Sequence, residues 1–381
     1  MKIQQLIWEA GLWTQIKGPE TIDPDIILFF GGSSPAKTSL RFTRLNEMFP
    51  DAEIIGCSTA GEISEYEVLE NGGVAIVIEC EKTAIRTAGL TISATAESRQ
   101  AGQTLGQQLV GDNLSAVIVI SDGSIVNGSA LVEGLRSTLS PSIFMSGGLA
   151  GDGGKFAQTG VSYNGAALPG QIAVIGFYGT AIQVGGGSVG GWTPFGPMRR
   201  ITHSDANVLH ELDGKPALQL YKTYLGDSAD QLPGAALNFP IMIKPEDEPA
   251  GDGLVRTILN VSESDQTLTF AGDIPQGYTA QLMMASYESL VEGAASAALQ
   301  ASEATSVQTL GDQLVLMISC VGRKLVLGSR IEEEVEVVIE AFPEETHFAG
   351  YYSYGEISPQ TNGWCELHNQ TMTITYLAET V

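Results

Sequence analysis

Positive charge is scarce in this chain. Only 19 of 381 residues are Lys or Arg, against 44 Asp or Glu, for a formal net charge of −25. Sequence-independent nucleic-acid binding requires cations that neutralise phosphates, and an anionic membrane surface requires them too. Neither partner is expected, and the acidity reads as solubility. Cysteine is equally sparse: Cys57, Cys80, Cys320 and Cys365 form no CxxC pair and cannot build a disulfide framework. There are four histidines (His203, His210, His347, His368) and no HExxH or HxH spacing, so no zinc site is expected. Long apolar runs are missing as well. Nothing approaches the ~20 residues of a membrane span, and Met1–Lys17 mixes Lys2, Glu9 and several glutamines into its apolar positions, unlike a secretory segment. The expectation is a cytoplasmic protein without membrane insertion. Charged residues reach only 17% while hydrophobic ones make up 43%, which disfavours disorder and permits a large core. The length exceeds one ordinary domain of ~100–200 residues.

Glycine, by contrast, is abundant at 45 residues, a sign of tight turns and close backbone approaches. Short Val/Ile-rich runs alternate with helical patterns. Asp25–Gly31 reads as a strand, a helical pattern follows through Leu40, Phe42, Leu45 and Met48 and stops at Phe49-Pro50, and Glu53–Ser58 reads as a second strand leading into Gly61-Glu62-Ile63-Ser64. The grammar returns near the C-terminus: a strand over Leu314–Cys320, a helix over Ile331–Phe342, again a Phe-Pro stop (Phe342-Pro343), then His347–Gly355 running into Gly355-Glu356-Ile357-Ser358. A shared Phe-Pro and a shared Gly-Glu-Ile-Ser at nearly equal spacing indicate duplication of a β-α-β unit. A weaker copy lies between them, with a strand at Ala116–Asp122, a helix at Ser129–Leu139, Pro141, and a strand at Ser142–Gly147. Each unit is followed by a β-branched, hairpin-like stretch beginning at Gly73, Gln171 and Gln370. The Gly- and Pro-rich segment Gly185–Pro197 reads as a linker or a ligand-facing turn, dividing the chain into 1–190 and 191–381, and the acidic Glu246–Gly253 reads as a surface loop.

Several motifs invite chemistry. Gly31–Thr38 nearly matches a phosphate loop, but Ala36 replaces its second glycine and Pro35 removes an amide. No GxSxG is present, and Gly56–Gly61 is one residue too long for a nucleophile elbow. Cys57 reads as a buried thiol behind a strand, with a thiol nucleophile as the alternative. Glu62 and Glu356 occupy matching turns, where they either accept N–H bonds or work as an acid/base pair. Alternation from His368 through Gln370, Met372, Ile374 and Tyr376 places His368 and Gln370 inward. They are then either hydrogen-bonded core residues or contacts to a ligand or metal. Arg323 and Arg330 stand out among few cations. They either pair with the acidic helix Glu332–Glu336 or hold a carboxylate.

The blocks Glu53–Ser64, Gly147–Gly154, Gly191–Pro197, Leu212–Asp227, Phe270–Gly277, Ser319–Val335, Tyr351–Pro359 and Cys365–Thr373 resemble the FIST family, in its order and across nearly the whole chain. The resemblance implies an α/β fold of two packed FIST halves, with mixed β-sheets flanked by helices. It implies a non-enzymatic sensory protein of bacterial or archaeal signal transduction that binds a small molecule and is read by a histidine kinase or another signalling protein. A stand-alone chain of this type is similar to the nitric-oxide-sensing NosP haemoproteins, which implies haem b with His368, or else His347, as axial ligand. The other ligand class is a small organic molecule such as an amino acid. The expected ligand-contacting residues are Arg323, Arg330, Tyr354, Glu356, His368 and Gln370, with Phe348, Tyr351 and Met372 as apolar lining.

Overall fold

A computed structural model describes residues 1–247, 253–306, 309–360 and 363–380. Part of the acidic loop expected at 246–253 therefore lies outside the described residues. All three β-α-β units are present. In the first, Ile26–Phe30 and Glu53–Cys57 pair in parallel across the helix Pro35–Met48, and Val74–Glu79 returns antiparallel to the first strand. The second consists of Leu114–Ser121, the helix Gly128–Arg136, Phe144–Leu149 and the return strand Gln171–Tyr178. The third consists of Thr309–Cys320, helices Val321–Leu327 and Ile331–Ile339, His347–Ser353 and the return strand Met372–Thr380. The helix expected over Ile331–Phe342 thus stops a turn early, and a short separate helix precedes it.

Each unit is the centre of a six-stranded sheet, and no unit completes its own sheet. Between its second strand and its return strand, each unit sends a short segment into another sheet. Glu62–Ser64 of the first unit pairs with His347–Ser353 of the third. Val161–Tyr163 of the second pairs with Glu53–Cys57 of the first. Gly355–Pro359 of the third pairs with Phe144–Leu149 of the second. The strands beside the return strands are exchanged in the same sense: Ala84–Thr91 joins the second sheet and Ile182–Val189 the third. Lys2–Glu9 occupies the corresponding place in the first sheet, tied to the third unit by Ile3 N–H donating to Asp312 Oδ2 at 2.8 Å. The result is a cyclic, pseudo-threefold weave in which strands from both sides of residue 190 share sheets.

The strand composition follows from this layering. A strand covered on both faces needs apolar residues at every position, and all five residues of Ile26–Phe30 are buried. Ile26, Leu28 and Phe30 face a core shared by all three sheets, where Phe30 stacks on Tyr351 at 4.7 Å between ring centroids. Ile27 and Phe29 face outward beneath Leu45 of the helix. Burying such a side chain contributes about 1.5–3 kcal/mol. That helix starts where Ser34 caps the amide of Lys37 and Pro35 fixes the first turn, and it ends before Pro50.

A fourth sheet is inserted ahead of the third unit, between the strand Ile182–Val189 and the helix Tyr287–Ser302. It runs from Thr193–Asp205 to Thr279–Met284, carries the helix Ala217–Leu225, and has its own core around Ile201, Leu218, Tyr221, Ile241 and Phe270. It is fastened to the weave by Arg256, fully buried, whose Nη1 donates to Leu367 O at 2.8 Å, and by Asn127 Nδ2 donating to Asp273 Oδ1 at 2.8 Å.

Gly185–Pro197 is not a linker. Its first half is the edge strand Ile182–Val189 of the third sheet, and its second half opens the inserted sheet. The glycines are demanded by packing: a Cβ on Gly187 would lie 2.0 Å from Ala297 O, and one on Gly186 would lie 2.5 Å from the Phe144 ring. Gly187→Ala should therefore destabilise the protein by about 1–3 kcal/mol, the usual cost of overpacking. Gly234→Ala, where nothing lies within 4 Å, should leave the denaturation midpoint nearly unchanged.

Candidate functional site

A cavity of about 640 Å³ opens where the inserted sheet meets the weave. One wall is the edge strand, from Gly186 to Val189, continuing through Gly190, Gly191 and Trp192. The second is the inserted sheet, contributing Met242, Val255 and Met283, and the third is the exchanged hairpin of the third unit, contributing Ser358, Pro359, His368 and Thr371. Phe144 closes the bottom and Gln300 reaches in from the neighbouring helix. Apolar surface with a few placed polar groups is the usual make-up of a small-molecule site. Among the described lining residues His368 alone bears an ionisable side chain.

His368 ends the strand Cys365–His368, opposite Glu356, and its Nε2 lies 3.1 Å from Ser358 O. Thr371 connects the cavity wall to a buried carboxylate: its hydroxyl donates to Glu356 Oε2 at 3.0 Å and its amide donates to the same atom at 3.3 Å. Ser353 Oγ donates to the other oxygen. Burial pushes the Glu356 carboxyl up to about 8, against the opposing pull of Ser353 and Thr371.

Glu62 repeats this arrangement in the first unit. Thr59 Oγ1 donates to it at 2.5 Å, and the amides of Gly72 and Gly32 donate at 2.8 and 3.2 Å. The Gly32 amide belongs to the stretch resembling a phosphate loop and is engaged by this carboxylate of the protein. Lys37 Nζ is likewise engaged, with Asn71 Oδ1 at 2.9 Å. Glu62 and Glu356 bind backbone in separate sheets and do not form a pair. Cys57 faces the shared core, and burial pushes its thiol well above the usual range, the opposite of an activated nucleophile.

The remaining expected residues are dispersed. Arg323 is fully buried and bound to Glu334, with Nε and Nη2 at 2.9 and 2.8 Å from Oε2, and its other donors reach Gly190 O and Leu290 O. Arg330 pairs with Glu288 and Glu333 at the surface. Tyr354 stacks on Phe156 at 4.5 Å, and its hydroxyl donates to Asp152. His347 is buried at the start of its strand, away from the cavity lining, and burial with help from Lys17 lowers its imidazole to about 4.

Alternation from His368 to Tyr376 does not carry through. His368 belongs to the second sheet and Met372 to the third, and the chain reverses between them at Gln370 with φ +64°. Gln370 is buried and packs on Gly322, where a Cβ would lie 2.4 Å from its side-chain amide. Among the described residues its side-chain amide and that of Asn369 find no partner.

These placements test the haem expectation. His368 offers an imidazole, but the arginines expected for the propionates are closed on glutamates elsewhere, and the described cavity lining carries no Lys or Arg. Among the described residues no group of three His, Cys, Asp or Glu is arranged to hold a metal ion. Gly186–Trp192 fall in the segment read as a linker or a ligand-facing turn, and the second of these readings is the one that resembles their place in the lining. Sequence reading did not single out Met242 and Met283.

A FIST N domain model matches residues 25–215 and a FIST C domain model matches residues 217–359. The chain belongs to the FIST family. FIST domains are associated with sensing in signal transduction. An uncharacterised protein of Methanocaldococcus jannaschii, MJ1623, is 24% identical over 83% of this chain. The FIST chain described here spans 66% of that relative's length. Among solved structures, a cyanuric acid hydrolase from A. caulinodans aligns over 93% of this chain and 90% of its own, at 9% identity and a TM-score of 0.33, a likeness too slight to carry its activity here. No helix among the described residues is long and apolar enough to cross a membrane.

Two measurements check the site's electrostatics. Arg323→Met strands Glu334 among buried groups and should cost about 3–5 kcal/mol, whereas Arg323→Met with Glu334→Leu should recover much of the loss in chemical denaturation. The raised pKa of Glu356 means that the folded state holds a proton the unfolded chain releases near the ordinary glutamate value of 4.5. Stability should fall as pH rises from about 4.5 to 8 and level off above that. Glu356→Gln should flatten this part of the melting-temperature profile.

Proposed function

We propose that this FIST protein is a non-enzymatic sensor whose small organic ligand occupies the cavity between the inserted sheet and the three-unit weave. The observation that supports this most directly is the cavity's position. Its walls come from two separately cored bodies, tied together close by through Arg256 and Leu367. A ligand touching both walls favours one arrangement of the bodies over others, and the difference is available to a second protein. That reader is a histidine kinase or another signalling protein. The setting is cytoplasmic, where the four free thiols persist.

A thermal-shift screen of neutral organic compounds, amino acids and haemin tests the reading. A true ligand should raise the melting temperature of the native protein in proportion to the logarithm of its concentration. Val255→Trp, which fills the cavity from the inserted sheet, should abolish that shift, while Leu12→Ala, on a distant exposed edge, should keep it. Stoichiometric haemin uptake with a Soret band lost in His368→Ala would replace the organic ligand by haem. A shift that survives Val255→Trp would move the site elsewhere.

A further inference from the structure

The cavity reading can be taken to a ligand class, and the inference rests on that reading. Six consecutive residues, Gly186 to Gly191, line the cavity. Side chains of a strand alternate between its two faces, so a cavity touching consecutive residues lies along the strand's edge rather than over a face. Both faces are in fact covered: Gly187 abuts the helix at Ala297 and Gly186 abuts Phe144. Among the described residues Ile182–Val189 is the last strand of its sheet, paired only with Met372–Thr380. In an antiparallel edge strand, alternate residues turn both N–H and C=O away from the sheet. No hydrogen bond from another described segment reaches the backbone of residues 186–189. The cavity therefore borders an open row of backbone donors and acceptors that no bulky side chain screens.

Around this row the described lining is mostly apolar, with His368 its one ionisable side chain. Met242, Val255, Met283 and Trp192 supply apolar contact, and no carboxylate, Lys or Arg among the described lining residues could neutralise a ligand's charged end. A zwitterionic amino acid would find only His368 beside its carboxylate and, among the described lining residues, no carboxylate beside its ammonium group, and an unpaired charge is costly to desolvate. We propose that the ligand is a short, neutral, extended peptide-like amide that pairs with the Gly186–Val189 backbone as an added strand. Main-chain hydrogen bonds give such a ligand its affinity, and the methionine and tryptophan walls select its side chains. Four residues at ~3.3 Å each leave room for about two to four residues of ligand backbone.

The test uses the full chain and four capped dipeptides, N-acetylated and C-amidated, combining Leu, Met, Phe and Ala. Two comparators accompany each: the free dipeptide with charged ends, and the capped form N-methylated at its backbone amides. At least one capped dipeptide should raise the melting temperature and move the amide resonances of residues 186–189 in a nitrogen–proton correlation spectrum. Its free form should bind at least tenfold more weakly, and N-methylation should abolish binding. The proposal falls if the free or N-methylated form binds as well as the capped one, if resonances elsewhere move instead, or if no capped dipeptide binds. A non-peptide compound that stabilises the native protein but not Val255→Trp, with no capped dipeptide binding, would overturn this inference and leave the cavity as the sensory site. Stabilisation insensitive to Val255→Trp would remove both.

Discussion

An acidic side chain stands where each unit of the weave hands a segment to its neighbour. Glu62 opens the strand that the first unit donates to the third sheet, and Glu356 lies at the start of the strand that the third unit donates to the second. Both carboxylates accept a hydroxyl three residues back and an amide just ahead of the unit's own return strand. The second unit carries Asp152 just beyond its second strand, and that carboxylate collects the amides of Lys155, Phe156, Ala157 and Gln158 on the way to the donated Val161–Tyr163. In each case a buried acceptor gathers donors that would otherwise be orphaned as the chain leaves one sheet for another. The exchanged strands, the shared core and the placement of the cavity all depend on those departures being held.

The two strong repeats were legible because they share short motifs with chemical duties. Phe-Pro ends a helix and Gly-Glu-Ile-Ser departs a sheet, and both duties restrict residue choice. The middle unit was fainter for the same reason: its departure uses Asp152 and a loop instead of the Glu-Ile-Ser strand. The buried runs around Ile27, Ile118 and Leu316 were readable as strands. Their exchange between sheets was not, because pairing partners far apart in sequence leave no periodic trace.

The candidate site was less legible. Glu62 and Glu356 were linked by the repeat, and of the two readings given for them the hydrogen bonds match the acceptance of backbone amides. Arg323 and Arg330 took the alternative given for them, pairing with the acidic helix and with Glu288. His368 does line the cavity, but the alternation used to place it ran across a sheet boundary. The glycines of 185–191 look identical in sequence whether a chain is loose or tightly packed. Only the neighbours, Ala297 on one side and Phe144 on the other, reveal that here they are tightly packed.

The cyclic exchange has a consequence for how the chain acquires its structure. The first sheet waits for residues 161–163, the second for residues 355–368, and the third needs segments as distant as 62–64 and 372–380. Contacts of such separation carry a large loop-closure cost before they return any stabilisation, and topologies rich in them fold slowly. During synthesis the early units would carry open sheet edges until their distant partners emerge, which makes them surfaces for chaperones to guard. The same interlocking means that no unit could be lost or swapped by recombination without opening two sheets at once.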